Sequence, residues 1–250
     1  MSGHSKWASI KHQKGVTDAR RGQLFTKLTR EIIVAVRQGG SDPDMNFRLR
    51  LVIQKARDAN MPMDNIERAI KRGSGETEGA ALIEMVLEGY GPSGAAILVQ
   101  ALSDNKNRTV QEVRNLFSRN GGNLGESGCV AWLFHSKGMI IVDTDGNNPE
   151  ELALQAIDAG AEDVKIETGY IEIYTTPEDF MTVRQKLEEA GIEIDSSEVS
   201  MIPQTTLDLE EKPSIQNLRL LNKLEELDDV QLVVSNVNFT DDILEKFEEQ

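Results

Sequence analysis

Along the first third of the chain, hydrophobic positions recur at helical spacing. Leu24, Phe25, Leu28, Ile32, Ala35 and Val36 follow three- and four-residue steps, with Thr17 or Asp18 placed as an N-cap and Gly39-Gly40 as the stop. Asp42 followed by Pro43 is a second start signal, ahead of the stripe Phe47, Leu51, Val52 and Ala56. A third, shorter helix is predicted from about Met63 to Arg72, carrying Ile66, Ala69 and Ile70 and stopping at Gly73. Amphipathic helices joined by short connections predict a three-helix bundle. Residues 1–16 are polar and basic with little periodicity and are expected to be a mobile arm. The stretch Gly73-Ser74-Gly75-Glu76-Thr77-Glu78-Gly79 reads as a linker.

Beyond it the pattern turns to strands. Leu82–Leu87 and Ala95–Leu102 flank the turn-rich Gly89-Tyr90-Gly91-Pro92-Ser93-Gly94. A helix follows from about Arg108 to Asn120, ended by Gly121-Gly122, and Val130–Phe134 reads as a short strand. Then come a strand at Met139–Val142, a helix at Pro149–Ala159, strands at Val164–Glu167 and Tyr170–Thr175, a helix at Pro177–Ala190 and a strand within Ile192–Ile202. That order is βαββαβ, the ferredoxin-like arrangement. Complete in itself, it leaves the preceding segment short of a helix and a strand, which Pro213–Leu227 and Val230–Val234 supply. The predicted class is therefore α+β and multidomain: an N-terminal three-helix bundle followed by two α/β domains, the last inserted into the other. The expected boundaries are 1–78 for the basic helical domain, 79–136 plus 204–250 for a discontinuous α/β domain, and 137–203 for the ferredoxin-like one.

Charge changes this picture. The 250 residues carry a net −15, but unevenly. Residues 1–75 hold fifteen Lys/Arg against seven Asp/Glu, a net of +8, whereas residues 76–250 net −23. Such asymmetry predicts a basic contact module on an acidic body. The longest apolar runs, Ile32–Val36 and Ala95–Val99, are far short of the roughly 20 residues of a membrane span. The first residues lack the apolar run of a secretory signal, and the single cysteine, Cys129, excludes an internal disulfide framework. The expectation is a cytoplasmic protein that binds no membrane.

The chemistry that these residues point to is nucleic-acid binding. Lys6, Lys11, Lys14, Arg20, Arg21, Lys27 and Arg30 fall close together, interleaved with Trp7 and His12, and Arg48 and Arg50 add charge on the second helix. Lysine and arginine neutralise phosphates and release counterions, and a tryptophan among them can stack on an unpaired base. His4 and His12 lack a third ligand, so no metal is expected, nor any cofactor. Cys129 has no neighbouring base and reads as a buried structural thiol. Acidic pairs such as Glu225-Glu226 and Asp228-Asp229 read as solvated helix ends, and no catalytic constellation is found. On Tyr170-Ile171-Glu172-Ile173-Tyr174, the exposed sheet face is expected to be Tyr170, Glu172 and Tyr174, a surface for protein rather than RNA.

Several motifs closely resemble the YebC family. They are Gly3-His4-Ser5-Lys6-Trp7-Ala8-Ser9-Ile10-Lys11-His12-Gln13-Lys14, Asp18-Ala19-Arg20-Arg21-Gly22, Phe25-Thr26-Lys27, Gly39-Gly40-Ser41-Asp42-Pro43 and Asn60-Met61-Pro62. Further along are Glu88-Gly89-Tyr90-Gly91-Pro92-Ser93-Gly94, Asp104-Asn105-Lys106-Asn107-Arg108-Thr109 and Ser127-Gly128-Cys129-Val130-Ala131-Trp132-Leu133-Phe134. The resemblance implies three domains and a cytoplasmic, non-enzymatic role in gene expression. Bacterial members of that family are described as DNA-binding transcriptional regulators; mitochondrial relatives are translational activators, and bacterial members are also linked to ribosomes translating proline-rich stretches. Two readings follow. In one the bundle docks on duplex DNA and the acidic domains face RNA polymerase or a second subunit, although no helix-turn-helix is evident. In the other the arm reaches into ribosomal RNA, and the acidic domains face solvent or basic ribosomal proteins. The oligomeric state is left open.

Overall fold

The computed structural model describes residues 18–75 and 81–248, with side chains for 21–75 and 81–247. Helices α1 (Asp18–Gly39), α2 (Phe47–Asp58) and α3 (Met63–Gly73) form the predicted bundle. Leu28, Ile32, Ala35 and Val36 of α1 meet Leu49, Val52, Ile53 and Ala56 of α2 and Ile66 and Ala69 of α3 in one buried core. The Asp42-Pro43 signal is not where α2 begins. Those residues make a tight turn, with Asp42 O accepting from Asn46 N at 2.9 Å, and Asn46 is the N-cap. Its Oδ1 accepts from Leu49 N, while its Nδ2 donates to Ala35 O and Gly40 O, both at 2.8 Å. A buried amide that caps one helix and ties off another outweighs the local proline signal.

The remaining elements form two four-stranded sheets. The first contains β1 (Ile83–Tyr90), β2 (Ala96–Ser103), β3 (Asn123–Leu124) and β8 (Val230–Ser235), in the order β3-β1-β2-β8 and antiparallel throughout. Helices α4 (Lys106–Arg119) and α7 (Glu211–Glu225) pack with it. The second contains β4 (Phe134–Asp143), β5 (Asp163–Ile166), β6 (Tyr170–Thr175) and β7 (Ser196–Pro203), in the order β5-β6-β4-β7, with α5 (Pro149–Ala159) and α6 (Phe180–Glu189) as the crossovers. That order is the ferredoxin-like one. The described residues up to Ala131 pack with Glu210–Ser235 as one compact unit; Trp132–Leu209 and the residues from Asn236 on form another.

Three sequence expectations need correction. Val130–Phe134 is not a strand: Ala131–Leu133 is a 3-10 turn, and β4 begins only at Phe134. The cause is Glu88, whose carboxylate takes the backbone N–H groups of Gly128, Val130 and Ala131 at 2.7–2.9 Å and so removes them from any ladder. The Tyr170/Glu172/Tyr174 face is not exposed, since Glu172 and Tyr174 are 0% and 2% accessible and Tyr174 packs with Met139, Ile141 and Ile202. The Tyr174 hydroxyl donates to Glu172 Oε2 at 2.6 Å, partnering one oxygen of this buried carboxylate. Finally, an unforeseen helix, α8 (Asp241–Glu248), buries Ile243 and Leu244 in the unit that holds the second sheet.

Candidate nucleic-acid interface

Helix α1 is amphipathic, so its cations lie off the core, and three of its polar side chains point one way. Gln23 Nε2 donates to Glu226 O (2.6 Å) and Asp228 Oδ1 (3.1 Å). Lys27 Nζ donates to Glu225 O (2.6 Å), an end carbonyl of α7, where a cation complements the helix dipole. Arg30 Nη1 donates to Asp228 O (2.7 Å) and to Asp229 Oδ1 (2.8 Å).

Asp229 is the centre of this seam and not the solvated helix end expected from the sequence. Its Oδ2 accepts from Ser103 Oγ (2.9 Å), Thr109 Oγ1 (2.6 Å) and Arg108 Nη2 (2.8 Å). Burial raises the pKa of such a carboxyl, but hydrogen bonds from Arg108, Thr109 and Ser103, with the Arg108 charge, outweigh it and bring the pKa down to about 2. A second clasp joins Arg48 of α2 to Glu84 of β1 and Gln38 of α1. The hydrogen bond from Arg48 leads in holding Glu84 below the usual carboxylate range, against a smaller opposing effect of burial.

The predicted contact residues therefore divide. Lys6, Trp7, Lys11, His12 and Lys14 lie outside the described residues, as does the Arg20 side chain. Arg21 stands exposed in the first turns of α1. Lys27, Arg30 and Arg48 are committed to the seams above. Arg50 lies over the Phe47 ring, 5.8 Å from its centroid, and reaches Asp44 O at 3.4 Å.

Sequence reasoning passed over what packing assembles beside Arg30. A groove of about 450 Å3 runs between α1 and α3, and Arg30, Arg37 and Arg72 line it together with Phe25, Thr26, Thr29, Ile33, Met61 and Asn65. Arg37 follows Arg30 by seven residues and so shares its helix face, a signal that was present in the sequence. Arg72 has no such local signature, because α3 brings it there only by packing. Gly73 permits this: a Cβ on it would stand 2.6 Å from Val36 Cβ. Residues Leu82 and Asp104 close the groove, and the Asp104 carboxylate is paired with Arg108 at 2.9 Å.

Cys129 is half-buried, and burial, then the charges of Glu88 and Glu126, raise its thiol pKa, which suits an inert sulfur. The ferredoxin-like unit carries a cleft of about 800 Å3 lined by Asp143, Asp145, Glu151, Glu193 and Asp195, which repels phosphate. Among the described residues no group of three or more His, Cys, Asp or Glu is placed to hold a metal ion, and no helix is long and apolar enough to cross a membrane.

These features define a class: a multidomain α+β protein with its cations gathered on a helical bundle and its carboxylates on two appended sheets. Within that class the chain belongs to the TACO1/YebC family. Residues 5–76 match the TACO1/YebC protein N-terminal domain, and residues 82–237 match the TACO1/YebC second and third domain. It is 61% identical, over the full length of both chains, to a "probable transcriptional regulatory protein" of Dehalococcoides mccartyi. A protein of the same description from Halothermothrix orenii is 51% identical, again over the whole of both. Among solved structures, the crystal structure of a conserved hypothetical protein from Aquifex aeolicus superposes with a TM-score of 0.80 at 49% identity, covering 91% of this chain and 94% of that one.

Proposed function

We propose that this protein is a non-enzymatic, nucleic-acid-binding regulator of gene expression that meets its target through the basic helical bundle. The observation that carries this reading is the segregation of charge, a net +8 over residues 1–75 against −23 over residues 76–250. An acidic protein without that segregation is repelled by phosphate; with it, the bundle is drawn to nucleic acid while the acidic domains stay clear of it. Transcription is the process that the relatives' names point to, with duplex DNA as the target and RNA polymerase as the partner of the acidic domains. The groove between α1 and α3 favours a second reading, action on ribosomal RNA in translation, because a recess suits unpaired nucleotides better than a duplex.

The test is a titration of labelled full-length protein with ribosomes at physiological salt, with and without excess duplex DNA. Ribosome binding that survives the competitor favours translation. Binding abolished by DNA, or seen only with DNA, favours transcription. Failure to bind either one defeats the proposal.

A further inference from the structure

We infer that the groove between α1 and α3 is a pocket for one unpaired nucleotide of a single-stranded nucleic acid, its phosphate held between Arg37 and Arg72. The inference deepens the nucleic-acid reading above and rests on it. The dimensions come first. Phe25 to Arg37 is twelve residue steps along α1, or about 18 Å at 1.5 Å per step, and the groove volume of about 450 Å3 is that of a small-ligand site. A duplex cannot enter such a recess, whereas a single extruded nucleotide can.

Chemistry points the same way, because the lining is two-faced. Because Gly73 abuts Val36, Arg72 and Arg37 lie at the same end of the helix pair. Arg72 makes no hydrogen bond or ion pair among the described residues, so its guanidinium is available to a phosphate. The one carboxylate in the lining, Asp104, is paired with Arg108 and does not cancel that charge. Arg30 forms the middle of the wall, and both of its bonds, to Asp228 O and Asp229 Oδ1, run through Nη1. The seam thus fixes the guanidinium before any ligand arrives, which lowers the ordering cost of binding. Beside the arginines, the partly exposed Phe25 ring offers aromatic surface for a base, backed by the buried Ile33 and Met61. Thr26 and Thr29 spend their hydroxyl protons on Gly22 O (3.0 Å) and Phe25 O (2.7 Å), so toward the groove their oxygens are acceptors for the amino and imino groups of a base.

The experiment compares full-length protein with Arg37→Ala, Arg72→Ala and, as an exposed cation elsewhere, Arg119→Ala. Each is titrated with a fluorescein-labelled oligouridine and with a labelled duplex of equal length, and thermal melting establishes that each variant is folded. Loss of a charge-assisted phosphate contact is expected to weaken oligouridine binding about ten- to a hundredfold for Arg37→Ala and Arg72→Ala, while duplex binding changes less than about threefold and Arg119→Ala leaves both nearly unchanged. Equal losses on both probes, or none, would overturn the pocket while leaving general nucleic-acid binding intact. A second readout is independent of the oligonucleotides: uridine monophosphate titrated against methyl-labelled protein. Shifts confined to the Met61 and Ile33 methyl signals are expected. If neither oligonucleotide binds the wild type, those shifts still carry the pocket, and their absence ends it.

Discussion

Asp229 collects donors from across the chain: Arg30 on α1, Ser103 at the end of β2, and Arg108 and Thr109 on α4. Removing its charge leaves two guanidiniums facing a neutral group. Asp229→Asn is expected to cost about 2–4 kcal/mol, read from urea unfolding, and to lower oligouridine affinity because Arg30 loses its anchor. Acidity probes the same residue. Its folded pKa, about 2, lies below the roughly 3.9 of an unfolded aspartate, so its contribution is complete above about pH 4 and disappears as pH falls through about 2. Wild-type stability should therefore fall over that interval more steeply than that of Asp229→Asn, and an unchanged slope would contradict the assignment. None of this was legible in Asp228-Asp229, which reads as a solvated pair. A burial that depends on Arg30, 199 positions away, leaves no trace in neighbouring residues.

At the scale of elements, local chemistry was readable wherever it acted alone. Pro149–Ala159 and Tyr170–Thr175 begin and end where the sequence places them, because proline with an asparagine cap, a left-handed Gly160 and β-rich composition are signals within the segment. It failed where a side chain also answers to another element, as Asn46 does in tying off α1 while it caps α2, and as Glu88, 40 positions away, does in the 128–131 loop. The α1–α3 packing is of this second kind. Gly73→Ala places a methyl 2.6 Å from Val36 Cβ, so the helices must separate. The expected penalty is about 1–3 kcal/mol in thermal or urea melts, with oligouridine binding reduced by the displacement of Arg72. A variant as stable as wild type would mean that the helix pair tolerates the shift.

For the molecule as a whole, the decisive quantity is charge distribution rather than the sum. The positive excess and its location were plain from the sequence, and so was the nesting of one α/β order inside another. The strand order β3-β1-β2-β8 was not, since pairing partners leave no mark on composition. Contact with about six phosphates predicts that log K against log salt falls with a slope near −5 on duplex DNA and about −4 on single strands. Titrations between 50 and 300 mM salt measure it, and a slope near zero would mean that the bundle's cations do not meet phosphate.

The pairing of β2 with β8 also sets a timetable. Ile97 lies opposite Ser235, 138 positions later, and every strand of the second sheet is synthesised in between. At about 5–20 residues per second, β2 waits about 7–28 s with its edge unpaired. Asp229, which locks α1 to the first sheet, emerges at the end of the same interval. The nascent chain therefore acquires its basic helices and the Arg48–Glu84 clasp first but gains the Asp229 seam late, and while it waits the apolar run Ile97-Leu98-Val99 is exposed to chaperones and to other nascent chains.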